Sequence, residues 1–151
     1  MDKIKGIHHA CICVADIERS IKWYREILGA KLLTRFDLHH PNLGKAVGIP
    51  GASLKGAMLL WGEDEFASMI EVLCYTNPIG EKYDPHTPMC NIGCTHVAFT
   101  TVNTIDDLYE ELQAKGVRFY SPPQLLEIEG QAFKMCYFKD PDGITLELIG
   151  S

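Results

Sequence analysis

Apolar residues alternate with polar ones, switch to a helical period, then alternate again, and the chain does this twice. Residues 6–16 (Gly-Ile-His-His-Ala-Cys-Ile-Cys-Val-Ala-Asp) read as a strand ending on Asp16, a residue suited to cap a helix. Ile17, Ile21, Tyr24 and Leu28 then recur at helical spacing, and Gly29 stops the helix. Residues 31–36 return to a strand pattern, and 57–61 and 68–75 give two more strands. Residues 37–53, rich in His, Pro and Gly, read as a long loop.

The same order follows in the second half. Residues 94–100 are strand-like, and Asn103 or Thr104 can cap the next helix. Ile105, Leu108 and Leu112 line its apolar face before Gly116 ends it. Residues 117–120, 132–138 and 144–149 read as strands, the last two joined by a turn over 140–143. The first parts of the halves register without a gap: His9 on His96, Asp16 on Asn103, Ile21 on Leu108, Gly29 on Gly116. Glu71 matches Glu147, each seven residues after an aspartate, Asp64 and Asp140. The expected fold is α+β, two βαβββ modules within one domain over 1–151. The first module spans about 5–76, a Pro-rich linker about 77–91, and the second module about 92–150.

Composition narrows the function classes. A chain of 151 residues with net charge −6 has no large basic footprint, so no nucleic-acid partner is expected. No apolar run is long enough to span a bilayer, so no membrane partner is expected. Residues 1–5 lead straight into the first strand pattern without an apolar leader, which makes the cytoplasm the expected compartment. The six cysteines (Cys11, Cys13, Cys74, Cys90, Cys94, Cys136) form no CxxC pair and are expected as buried, reduced thiols. No dinucleotide fingerprint or phosphate-binding glycine loop is present.

Four residues break the apolar strand pattern: His9, Glu71, His96 and Glu147. A charged or imidazole group inside an apolar strand is costly without a partner. Taken singly, each has a plain reading, a strand histidine satisfied in the core or a glutamate facing solvent. Their recurrence at matching places points instead to a divalent metal held by His9, Glu71, His96 and Glu147, because imidazole and carboxylate donors suit such an ion. Registration also selects His9 over its neighbour His8.

The motifs around these positions resemble the vicinal oxygen chelate superfamily, which includes glyoxalase I, methylmalonyl-CoA epimerase, extradiol dioxygenases, fosfomycin-resistance enzymes and bleomycin-resistance proteins. The carrying segments are His-Ala-Cys-Ile-Cys-Val-Ala-Asp at 9–16, Trp-Tyr-Arg-Glu-Ile-Leu-Gly at 23–29, His-Val-Ala-Phe at 96–99 and Asp-Pro-Asp-Gly-Ile-Thr-Leu-Glu at 140–147. The resemblance covers nearly the whole chain and is specific for the superfamily rather than for one activity. It implies an open, eight-stranded U-shaped sheet around one metal (Zn, Ni, Co, Mn or Fe) and a homodimer. The two-carboxylate donor set looks most like glyoxalase I or the CoA-ester epimerases. The implied activity is a metal-dependent lyase or isomerase/epimerase that removes a proton next to a carbonyl of a small-molecule substrate, with Glu147 as the first candidate base and Glu71 the second. An extradiol-type dioxygenase and a non-catalytic drug- or metabolite-binding protein are the alternatives.

Other residues carry weaker signals. Arg35, at a strand end, is the best of four arginines for anchoring a substrate acid. His39, His40 and His86 read as surface loop positions, and Trp23 and Tyr24 as core residues of the first helix.

Overall fold

The computed structural model describes residues 4, 6–63, 67–82 and 84–150. The leader reading over 1–5, apart from residue 4, and the Asp64 match lie outside these described residues. The chain divides into two compact units, Met1–Lys82 and Tyr83–Ser151, and the boundary falls inside the expected linker.

The first unit runs β1 (Ala10–Cys13), α1 (Ile17–Leu28), β2 (Lys31–Leu38), α2 (Pro41–Val47), β3 (Ser53–Trp61) and β4 (Ser68–Asn77). Asp16 caps α1, accepting from the backbone N–H groups of Glu18 (2.9 Å) and Arg19 (3.0 Å). Gly29 closes the helix at φ 69°, a left-handed conformation that costs glycine little. Ile17, Ile21 and Tyr24 are buried on its inner face. The strands form a sheet in the order β1-β4-β3-β2, with β1 parallel to β4 and the other pairs antiparallel. Ile12, Ala57, Leu59, Ile70 and Val72 are buried on the sheet face that α1 covers.

The second unit repeats the plan with β5 (Val97–Thr100), α3 (Ile105–Ala114), β6 (Gln124–Ile128), β7 (Gln131–Lys139) and β8 (Thr145–Gly150). Its sheet order is β5-β8-β7-β6. Thr104 caps α3, its hydroxyl accepting from Asp107 N–H at 3.2 Å. Ile105 and Leu112 are buried, as are Cys136, Phe138, Leu146 and Leu148. The α+β class and the two βαβββ modules are therefore present, with four strands in each sheet. The repeat extends to the hydrogen-bond register: Cys11 lies opposite Glu71 on the parallel pair of one unit, and Ala98 opposite Glu147 in the other.

Several expectations need correction. The 37–53 segment is not all loop: β2 runs on to Leu38, and residues 41–47 form α2, capped by His40, whose Nδ1 accepts from Asn42 N–H at 3.1 Å. Its seven residues are too few to sustain an apolar period beyond Leu43, Ala46 and Val47 and contain Gly44, so the pattern hides it. Residues 117–120 make only one isolated bridge, Phe119 with Phe138, and the strand comes later, at β6. Pro122 and Pro123 separate the two stretches and supply no N–H for a ladder. Of the six cysteines, all free, Cys136 is the buried one, while Cys11, Cys13 and Cys90 are exposed. Burial pushes the Cys136 thiol up to about 11.

Candidate metal centre

Each unit joins one imidazole to one carboxylate. In the first, His9 stands one residue ahead of β1 and Glu71 lies within β4, the strand beside it. His9 Nε2 and Glu71 Oε2 are 3.4 Å apart, with side chains 32% and 22% exposed. In the second, His96 stands one residue ahead of β5 and Glu147 lies within β8. Here Nε2 and Oε2 are 2.9 Å apart, and the carboxylate is only 6% exposed. Both histidines thus precede their strands rather than lying inside them, and each lies beside the glutamate of its own unit.

The two pairs have different surroundings. On the antiparallel ladder Glu147 faces Tyr137, while Glu71 faces Met58. Burial, with the neighbouring Glu147 charge behind it, pushes the Tyr137 phenol above its usual range. The Tyr137 ring also meets the His96 ring edge-on, centroids 5.3 Å apart at 89°. A carboxylate this buried needs such partners. Glu71 has the Cys11 and Cys13 thiols close by instead. The interaction with Cys11 brings Cys13 down to about 7, while the same interaction and partial burial hold Cys11 above its ordinary range.

Sequence reading missed Tyr137. The signal was available: a turn over 140–143 closing a hairpin that pairs Lys139 with Thr145 sets Tyr137 opposite Glu147. Arg35, expected at a strand end as the best arginine for anchoring a substrate acid, lies inside β2 instead. Arg35 pairs with Ala57, whose β4 neighbour is Val72, so it lies on the helix-covered face, opposite to Glu71. There it forms an ion pair with Glu18 of α1 and holds that carboxyl below its usual range. His39 and His86 are exposed, and Tyr24 is fully buried.

Each pair offers donor types that a divalent cation accepts. Two atoms about 2.1 Å from a common ion stand roughly 3.0 Å apart in octahedral and 3.4 Å in tetrahedral geometry. The two pairs match different geometries, 3.4 Å the tetrahedral value and 2.9 Å the octahedral one, the latter also an ordinary hydrogen-bond distance. Among the described residues, no three His, Cys, Asp or Glu side chains come together as a group able to hold a metal ion.

Residues 6–148 match the family model of the Glyoxalase/Bleomycin resistance protein/Dioxygenase superfamily. The chain is 30% identical over 141 residues to a lactoylglutathione lyase of Arabidopsis thaliana, covering 93% of this chain and 42% of that protein. It is 31% identical over 147 residues to a metallothiol transferase of Staphylococcus haemolyticus, covering 96% and 83%. The chain therefore spans less than half the length of the plant lyase. A glyoxalase family protein from Bacillus cereus has the same fold, with TM-score 0.80 at 21% identity over 98% of this chain and 95% of that one.

Proposed function

The chain belongs to the Glyoxalase/Bleomycin resistance protein/Dioxygenase superfamily, and on that premise we propose that it is a divalent-metal-dependent enzyme that moves a proton next to a carbonyl, as a lyase or an isomerase. The carrying observation is the imidazole–carboxylate pair repeated at the same register in both units, with the Glu147 carboxylate almost fully buried. His9, Glu71, His96 and Glu147 are the proposed metal donors. When bound, a divalent cation supplies Lewis-acid stabilisation of the negative charge that develops on a substrate carbonyl oxygen.

The protein's own groups supply orientation and proton transfer. Glu147 is the proposed base. Its carboxylate is withdrawn from water and aimed by Tyr137 and His96, so it meets a carbon acid in a fixed geometry. Glu71, more exposed and with the longer histidine contact, is the second proton carrier. The substrate is a small molecule carrying a carbonyl beside an acidic C–H.

The test is solvent-deuterium exchange into the methylglyoxal–glutathione adduct and a 2-methyl-branched CoA ester, using metal-loaded protein. Exchange into one of them is expected, falling about 10²–10⁴-fold in Glu147→Gln. A Glu147→Gln variant that exchanges at the unmodified rate contradicts the assignment. Thiol transfer at the same metal is a second reading, favoured by the metallothiol transferase relative, most of whose length this chain covers. Consumption of a thiol with an electrophilic co-substrate, without deuterium exchange, would select it.

A further inference from the structure

His8 is absent from every role described so far, yet its ring touches His9. The ring centroids are 5.1 Å apart at an interplanar angle of 83°. The two Nδ1 atoms are 2.8 Å apart. That is a hydrogen-bond distance, so one Nδ1 carries a proton and the other accepts it. On the other side of its ring, His9 presents Nε2 to Glu71.

The two nitrogens of a neutral imidazole are linked: a proton on Nδ1 leaves a lone pair on Nε2, and the reverse. If His8 donates, the His9 proton sits on Nε2 and points at the Glu71 carboxylate. If His9 donates, Nε2 is free to bind a cation. Which arrangement holds depends on how well His8 accepts.

We propose that His8 is a positioning residue that accepts the Nδ1–H of His9 and so holds His9 in the tautomer whose Nε2 can ligate a divalent metal. This rests on the proposed role of His9 as a metal donor. The second unit has no counterpart. The position matching His8 is Thr95, and His96 is braced by the Tyr137 ring edge instead. A metal-ligating histidine whose outer partner is removed loses affinity by about 10–100-fold.

The experiment compares Zn²⁺ affinity, by chelator competition, in the full chain and in His8→Leu and His8→Asn. His8 is exposed, so both variants should fold. His8→Leu is expected to bind Zn²⁺ about 10–100-fold more weakly, and His8→Asn, whose side-chain oxygen can accept, to recover most of the loss. Long-range ¹⁵N–¹H spectra of the Zn²⁺-loaded protein should show His9 protonated at Nδ1 and bare at Nε2. Unchanged affinity in His8→Leu, or a proton on His9 Nε2 in the loaded protein, overturns the inference alone. Failure of the unmodified protein to bind Zn²⁺, Ni²⁺, Co²⁺, Mn²⁺ or Fe²⁺ overturns it together with the reading it rests on.

Discussion

Glu147 and Glu71 occupy equivalent positions in two copies of one module, and their neighbours set them apart. Tyr137 and His96 surround the first, while Met58, His9 and the Cys11–Cys13 pair surround the second. Tyr137→Phe keeps the ring against His96 but removes the hydroxyl from the residue that faces the buried Glu147 carboxylate. It is expected to cost about 1–3 kcal/mol of stability, measurable by urea unfolding, and an unchanged midpoint would show that the hydroxyl gives the carboxylate no support. The thiols give a pH signature. A group lowered to about 7 is mostly thiolate above that pH and mostly thiol below it, so Cys13 alkylation by iodoacetamide should rise with a midpoint near 7. Cys11, held above its ordinary range, should stay largely unmodified across the same span. Residue-resolved mass spectrometry reads both, and a Cys13 midpoint near 9 would contradict the assignment.

At the scale of elements, the halves differ where packing rather than periodicity decides. α1 and α3 were legible because caps, apolar period and terminal glycines agree on them. α2 was not, being barely two turns with little to bury. β6 was misplaced because all five of its residues are exposed, leaving no inward-facing pattern to read. β3 shows what the sheet demands of one position. A Cβ on Gly56 would stand 2.2 Å from the Phe36 ring and 3.0 Å from Leu73, so the glycine is what lets Phe36 lie across its neighbour strand. Gly56→Ala must displace that ring, with an expected loss of about 1–3 kcal/mol. Thermal or urea denaturation reads this, and a neutral effect would mean Phe36 moves freely.

For the molecule as a whole, duplication carried most of the information. Either histidine or either glutamate alone has an ordinary structural explanation. Their recurrence at matching places singled out four residues for one metal site, and the structure joins them as two pairs, one within each unit. What the repeat could not disclose is what breaks it: Tyr137 against Met58, and His8 against Thr95. Those differences lie in side-chain neighbours across a ladder or at a strand entrance, which no internal symmetry encodes.

The most direct measurement is divalent-metal binding by the purified full chain and by the Glu71→Ala, Glu147→Ala double variant, titrated against a chelator with folding monitored by circular dichroism. Tight binding by the unmodified protein, with a loss of at least about 100-fold in a folded double variant, is the predicted result. Metal retained at undiminished affinity without the two carboxylates would contradict it.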